Sequence, residues 1–353
     1  MSQVKTSKIN IAVTGINATD NPGPGSSVVR GIRYNEEFSG RIIGLAYDTM
    51  DPGIYQEGLV DITYMIPYPS QDPQVIFERI KQINELEQID VLIPTLDAEL
   101  LTYISIEEKL KEIGISMFLP TKESFNMRSK NLLADFCLEN GISAPRTISV
   151  NSVDDIYKMD LEYPVYVKGI FYDAYIAYSY SEAAAAFYNI SAKWGVPIVI
   201  QEFINGEEFD IVALGDGTGE TIGAVPMKKM SLTEKKKAWA GVSIDNQELI
   251  DITKKLVKAL KWRGPMEAEI MVDHKTSKLY LIEINPRFPA WCILAPWSGQ
   301  NLQYSLVDLA LGNKVEKFKN YKSGKLFIRY SMEVMADIKD LEQLVMNGFL
   351  QKP

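Results

Sequence analysis

The chain has a single histidine, His274, in 353 residues. A Ser-His-Asp triad or a multi-histidine metal site would have to be built on that one side chain. It falls in "VDHKTSKLY", which reads as a hairpin turn, so His274 is expected to be a solvated turn residue. Any metal ion must then be held by carboxylate and amide oxygens, which favours Mg²⁺. Cysteine is nearly as scarce. Cys137 and Cys292 lie far apart in apolar surroundings and read as buried free thiols of a reducing cytoplasm. No run of about 18 apolar residues occurs, so no membrane-spanning helix is expected. The start, "MSQVKTSKINIAV", lacks the apolar core of a signal peptide, so a cytoplasmic location is expected. Positive charge is also short: 37 Lys and Arg stand against 46 Asp and Glu, a net charge of −9. No basic face is legible, which argues against nucleic acid as the main partner.

What remains is an ordinary globular composition, 46% hydrophobic and 24% charged, in a chain long enough for two or three domains. The first 120 residues alternate strand and helix. Strands are expected at Ile9–Thr14, Arg41–Tyr47, Asp61–Ile66, "DVLIPT" and "SMFLP". Helices are expected at Ser26–Glu37, Pro73–Glu87 and Ala98–Ile113. That alternation means a parallel sheet covered by helices on both faces. The middle opens with a helix from Met127 to Asn140, stopped by Gly141 and Pro145. A short helix at Val153–Met159 follows, then strands "YPVYVKG" and "AYIAYSY", a helix Ser181–Lys193 capped by Ser181, and strand "PIVIQEFI". Beyond it come a hairpin through Gly-Asp-Gly, a polar stretch from Lys228 to Ser243 and a helix Asn246–Lys261. A second hairpin turns at His274. A helix near Leu302–Leu311, a strand near Leu326–Tyr330 and a helix near Ile338–Met346 complete the chain. The expected fold class is α/β, with an N-terminal parallel-sheet, Rossmann-like domain followed by two α+β lobes.

Three places carry chemistry. In the second hairpin, Glu283 and Asn285 are two apart, so they share a strand face. Pairing through the His274 turn brings Glu269 to that face. Charges flanked by "YLIEI" are costly to bury alone and tolerable when they coordinate a cation. Two carboxylates and an amide suit one or two Mg²⁺ ions bridging nucleotide phosphates. Arg287 follows directly. The second place is Lys168, at the end of an apolar strand, a point charge suited to phosphate oxygens; Lys130 is a possible second. The third is "VIQEFINGEEFDIVAL", where a strand ends in Gln201-Glu202-Phe203-Ile204, turns at Gly206 and resumes at Glu208. Such a crossover can offer backbone groups to an adenine and a carboxylate to ribose. One further stretch, "VTGINATDNPGPGSS", looks like a phosphate loop, with Ser26 and Ser27 placed to cap a helix. Its Gly15, Gly23 and Gly25 do not match G-x-G-x-x-G, which speaks against a dinucleotide-binding dehydrogenase.

In this order — Lys130, Lys168, "QEFINGEE", then E-x13-E-x-N-P-R — the chain resembles the ATP-grasp superfamily from about residue 8 to 330, and most the carbamoyl-phosphate synthetase and biotin-carboxylase branch. The resemblance implies a first α/β domain over 1–122, a small lobe over 123–202 and a C-terminal lobe with the Mg²⁺ site over 203–353. It implies ATP phosphate contacts from Lys130, Lys168 and Lys228, and an adenine hinge at Gln201, Glu202, Phe203 and Ile204. Glu208 would bind ribose. Glu269, Glu283 and Asn285 would hold one or two Mg²⁺ ions, with Mn²⁺ as a substitute. Arg287 would face the reacting carboxylate or acyl phosphate, and Lys168 counts with it as catalytic. The sequence departs from the family after Lys168, where "KGIFYDAYIAY" replaces a glycine-rich flap. "KKMSLTEKKKAWAGVS" is then either a substitute lid or a solvated loop. The implied activity is ADP-forming ligation of a small-molecule or amino-acid carboxylate to an amine. A bicarbonate-using carboxylase or carbamoyl-phosphate-type subunit and a non-catalytic ATP-binding subunit stay open beside it. Dimers are common among such enzymes, so a homodimer is a possible assembly. In that architecture the first domain borders the cleft, so Asn21, Gly25, Ser26 and Ser27 become candidates for the carboxylate substrate rather than for ATP.

Overall fold

The computed structural model describes residues 8–18, 21–169 and 173–351, apart from the side chains of Lys130 and Asn131. These group into two compact units, the first from residues within 1–122, 210–267 and 285–353, the second from 123–209 and 268–284. Along the chain the first unit opens with β1 (Ile11–Val13), α1 (Pro24–Arg33), β2 (Ile42–Ala46), α2 (Pro52–Tyr55), β3 (Ile62–Met65), α3 (Pro73–Glu87), β4 (Val91–Ile93) and α4 (Asp97–Glu112). Then come α5 (Lys122–Met127), α6 (Lys130–Glu139), β5 (Thr147–Val150), α7 (Val153–Tyr157), β6 (Val165–Lys168), β7 (Ala174–Ala177), α8 (Tyr180–Trp194) and β8 (Ile198–Glu202). The remainder is β9 (Gly206–Asp216), β10 (Thr221–Leu232), β11 (Ala238–Ser243), α9 (Gln247–Leu260), β12 (Arg263–Asp273), β13 (Leu279–Asn285), α10 (Leu294–Trp297), α11 (Leu302–Ala310), β14 (Leu326–Ile328), α12 (Ile338–Asn347) and β15 (Phe349–Gln351). Among the described residues no helix is long and apolar enough to cross a membrane.

The first unit holds the expected parallel sheet, in the order β15-β3-β2-β1-β4. Strands β1 to β4 run parallel. β1 and β4 are buried along their whole length, as strands covered on both faces must be. Two details differ from the sequence reading. "SMFLP" makes only an isolated bridge from Ser116 to Val91. The sheet also gains an antiparallel edge strand from the far end of the chain, with Leu350 opposite Thr63. Gly348, at φ 72°, ends α12 in the left-handed region and turns the chain into β15.

The second unit has a four-stranded sheet, β5-β8-β6-β7. Its neighbours are all antiparallel, and its register fixes the faces. Val150, Val165, Val167, Ile198 and Ile200 are buried together with Ala183, Phe187 and Ile190 of α8. Thr147, Gln201, Tyr166 and Lys168 share the opposite face. A third sheet, β13-β12-β9-β10-β11-β14, contains the three strands in which the chain passes between the units.

Three local expectations are corrected. The helix read from Met127 to Asn140 is α6, which begins only at Lys130 with Ser129 as N-cap, and the separate α5 ends at Met127. Helix α8 is capped by Ser179, which accepts from the Glu182 N–H, because Tyr180 and Ser181 already lie inside it. The polar stretch Lys228–Ser243 is mostly paired strand rather than loop. It is a ribbon in which Lys228 faces Val242 and Leu232 faces Ala238, with Thr233 and Lys237 closing the turn. The lysine run 235–237 is that exposed turn, and Lys236 adopts φ 58° there.

Candidate functional site

In the second unit, Lys168 ends β6, as the sequence predicts. Its Nζ donates to Gln201 Oε1 at 2.7 Å and lies 4.9 Å from the centre of the Tyr166 ring. Tyr166 in turn packs on Phe203 with ring centres 5.4 Å apart. Burial, and after it the Glu208 carboxylate, pushes the Tyr166 phenol above its ordinary pKa. Lys168, Gln201, Phe203 and Glu208, singled out in two separate stretches, therefore gather around one aromatic ring. Glu202 ends β8, where its Oε2 accepts the Arg146 N–H at 3.0 Å, and Ile204 is buried in the loop before β9. The Lys130 side chain lies outside the described residues, as does the heart of the flap, 170–172. The flap's flank is tied down: Asp173 accepts from Trp194 Nε1 at 3.1 Å and from Lys193 Nζ at 3.4 Å.

Glu269 on β12 and Glu283 on β13 are both half-buried. Asn285 Nδ2 donates to Glu267 Oε2 at 3.1 Å, which fixes which end of that amide carries oxygen. His274 is exposed in the turn between these strands. Among the described residues no three Asp, Glu, His or Cys side chains are grouped to hold a metal ion by themselves. The donor set read from the sequence, two carboxylates and an amide oxygen, is of the chemical type that Mg²⁺ takes.

In the first unit the sequence reading missed the residue around which the polar groups gather. Glu267 is buried and accepts three bonds: from Asn285, from Arg287 Nη1 at 2.8 Å and from Trp291 Nε1 at 2.7 Å. Arg287 Nε also donates to Asp97 Oδ2 at 2.9 Å. These two carboxylates, Asp97 ahead of Glu267, hold the guanidinium protonated above its ordinary pKa even though burial opposes its charge. The signal was present in "MEAE", where Glu267 stands two before Glu269 and so on the same strand face. For Asp97, in "PTLDAEL", nothing local announces a partner 190 residues away. Lys228 lies on β10 beside Lys229, whose Nζ forms a buried ion pair with Asp210 at 3.1 Å.

The described part of the Gly-rich loop packs closely on its neighbours. Helix α1 begins at Pro24 with Gly23 as N-cap, so Ser26 and Ser27 sit inside the helix and do not cap it. The Gly25 N–H donates to the Gly15 carbonyl at 3.0 Å, and the Ser27 hydroxyl donates to the Ala290 carbonyl at 2.5 Å. A Cβ on Gly25 would come within 2.0 Å of the Thr14 carbonyl oxygen. Ser26 is half-buried, and Asn21 is buried with its Oδ1 unpartnered. Beneath the loop, at the ends of β1 and β4, the fully buried Glu99 carboxylate accepts from the Thr14 and Tyr47 hydroxyls. It also takes the N–H groups of Thr95 at 2.6 Å and Leu96 at 2.8 Å. Desolvation raises its pKa against those bonds. Burial likewise pushes the thiols of Cys137 and Cys292 up to about 12, which makes them poor nucleophiles.

The comparisons with known proteins agree with the layout. Residues 195–331 match the family model described as ATP-grasp in the biosynthetic pathway with Ter operon. The chain is 24% identical to the carbamoyl phosphate synthase large chain of Pyrococcus furiosus over 268 residues, 67% of this chain and 23% of that one. Over 163 residues it is 24% identical to the D-alanine–D-alanine ligase of Rickettsia rickettsii, 42% of this chain and 50% of the other. The match thus covers half or less of the length of these curated relatives. Among solved structures, a biotin carboxylase–β,γ-ATP complex from Campylobacter jejuni superposes with a TM-score of 0.71 at 17% identity, covering 90% of this chain and 74% of that one. An L-amino acid ligase from Bacillus licheniformis gives 0.65 at 16% identity, covering 88% and 76%. Those two identities speak for the fold alone. The fold, the E-x-N-P-R strand and the sequence matches converge: residues 195–331 are an ATP-grasp domain, in a chain homologous to carbamoyl phosphate synthase and D-alanine–D-alanine ligase.

Proposed function

We propose that the chain is an ATP-dependent, ADP-forming ligase that joins a small-molecule or amino-acid carboxylate to an amine. The observation that carries the reading is the set Glu269, Glu283 and Asn285 on β12 and β13, inside the ATP-grasp domain. Lys168 and Lys228, with Lys130, take the phosphates. Gln201 to Ile204 meet the adenine, with the Tyr166–Phe203 pair beside them, and Glu208 takes the ribose. Glu269, Glu283 and Asn285 would hold Mg²⁺, or Mn²⁺ in its place, which when bound would neutralise phosphate charge.

In the reaction a carboxylate oxygen attacks the γ-phosphorus and the bond to the β-phosphate oxygen breaks, releasing ADP. The amine nitrogen then attacks the acyl carbon, phosphate leaves, and the nitrogen gives up its proton. The side chains position and neutralise; no covalent protein nucleophile is required, in keeping with two thiols held protonated. Arg287, pinned between Asp97 and Glu267, serves as a fixed cation near the reacting carboxyl. The amine nucleophile is favoured over bicarbonate by the D-alanine–D-alanine ligase relative, whose name joins two amino acids.

The test is calorimetry for ATP with and without Mg²⁺, followed by ADP release over panels of acids and amines. Amine-dependent ADP release supports the reading, and Glu283→Gln should lower kcat by about 10²-fold or more. Tight MgATP binding without turnover on any pair would make the chain a nucleotide-binding subunit instead.

A further inference from the structure

Lysine is a flexible point charge on four rotatable bonds, and a phosphate contact is only as good as the placement of its Nζ. In this chain a line of hydrogen bonds supplies that placement. Lys168 Nζ donates to Gln201 Oε1 at 2.7 Å, Gln201 Nε2 donates to Thr147 Oγ1 at 3.2 Å, and Thr147 Oγ1 donates to the Pro145 carbonyl at 3.0 Å. The register puts Thr147 directly opposite Gln201 across β5 and β8, and Tyr166 opposite Gln201 on the other side. Gln201 is only 6% exposed, so its amide cannot turn to water for partners.

The polarity of this line is fixed from both ends. An ammonium group only donates, so the amide must show it oxygen. The Thr147 proton is spent on Pro145, so the hydroxyl must accept, and the amide must show it nitrogen. A glutamine turned the other way would set donor against donor at Lys168. We propose that Thr147 is a positioning residue for nucleotide binding: it locks the Gln201 amide so that a neutral oxygen holds Lys168 in place without cancelling its charge. A glutamate at 201 would also hold the lysine, but as an ion pair competing with the phosphates. This inference rests on the reading of Lys168 as a phosphate contact.

The experiment measures dissociation constants of the full chain for MgATP and for adenosine, which lacks phosphates, by calorimetry, with thermal midpoints recorded alongside. Lys168→Met is the reference. Thr147→Val, close in shape but without the hydroxyl, should weaken MgATP binding about 5- to 10-fold, the effect of one misplaced hydrogen-bonding group, and leave adenosine binding unchanged. Thr147→Ser should restore it. Thr147→Ala, which removes the same hydroxyl with a smaller side chain, should show the same phosphate-selective loss, and keeps the test open if Thr147→Val does not fold. Wild-type MgATP affinity in Thr147→Val or Thr147→Ala, or an equal loss of ATP and adenosine, overturns the positioning role while Lys168→Met still shows its defect. Unchanged MgATP affinity in Lys168→Met overturns the reading of Lys168 itself, and the positioning role with it.

Discussion

Glu267→Gln is nearly isosteric, yet no orientation of the new amide can satisfy the site. Glu267 Oε2 accepts from Arg287 and Asn285, and Oε1 accepts from the indole N–H of Trp291 at 2.7 Å. A carboxylate has two accepting ends; an amide has one. If the amide oxygen stays with Arg287 and Asn285, its NH₂ faces the indole N–H. If it turns to Trp291, its NH₂ faces a guanidinium. The first is the lesser conflict. It leaves a buried indole donor unsatisfied, about 1–3 kcal/mol, and turns a charge-assisted bond into a neutral one, about 1 kcal/mol more. Asp97 keeps Arg287 from being stranded, so the larger cost of an orphaned buried charge does not arise. The expected loss is about 2–4 kcal/mol, or roughly 5–10 °C in the thermal midpoint of a unit this size. Trp291→Phe removes the opposing donor. In a chain already carrying Trp291→Phe, the Glu267→Gln change should cost only about 1 kcal/mol, a coupling of about 1–3 kcal/mol. Scanning calorimetry on the four proteins of the cycle measures it. Additivity of the two single changes within about 0.5 kcal/mol would refute the reasoning.

Three other outcomes follow from the first unit and the thiols. Desolvation raises the Glu99 pKa from its ordinary 4.5, so the folded state holds that proton more tightly than the unfolded chain. Its contribution is therefore most favourable below the ordinary value and declines as pH rises through the interval up to the raised one. Glu99→Gln should flatten the fall of thermal midpoint with pH over that interval, and an unchanged slope would sink the assignment. Gly25→Ala places a carbon 2.0 Å from the Thr14 carbonyl oxygen. It should cost about 1–3 kcal/mol by displacing the start of α1, and a wild-type denaturation curve would show the loop more pliant than its packing implies. Cys137 and Cys292, held protonated up to about 12, should resist a thiol reagent at pH 8 until the chain is unfolded; rapid titration of either in the native protein would contradict their burial.

The legible parts of the chain were those in which one period or one spacing decides the outcome. The buried runs "IAV", "IIGLA" and "VLI" could only be parallel strands under helices, and the 15-residue helix from Pro73 to Glu87 was readable to its ends because Asp72 caps it and Gln88 leaves it. Glu283 and Asn285 were readable because two residues on a strand share a face. What escaped depended on partners far away in sequence. Strand β15 is three residues long and exists because β3 has an open edge. The Lys228–Ser243 ribbon looked like a loop because its lysines are dense, but β14 gives β11 a second neighbour, with Ala240 opposite Ile328. The glycine loop looked like a phosphate site because glycine is what such a site needs; here Gly25 is required by the close approach of Thr14.

Arg287 shows where residue-by-residue transfer from a family stops being sufficient. The resemblance implies an arginine by the reacting carboxylate, and the E-x-N-P-R spacing is present. The spacing says nothing of the surroundings, in which Glu267 and Asp97 are both bound to the guanidinium. A second guanidinium acts on the same cluster: burial lowers the Arg329 pKa, and the Glu267 charge opposes that shift. Two guanidinium groups and two carboxylates leave the cluster close to neutral before any substrate arrives, so Arg287 offers a fixed geometry more than an excess of positive charge. Replacing Asp97 with Asn removes one negative charge while leaving an oxygen for Arg287 Nε. In the proposed ligase, KM for the acid should then fall by about 2- to 5-fold, the effect of one partly exposed charge, and KM for the amine should stay unchanged. A rise in the acid's KM would show that the Asp97 charge serves to hold Arg287 in place rather than to offset it.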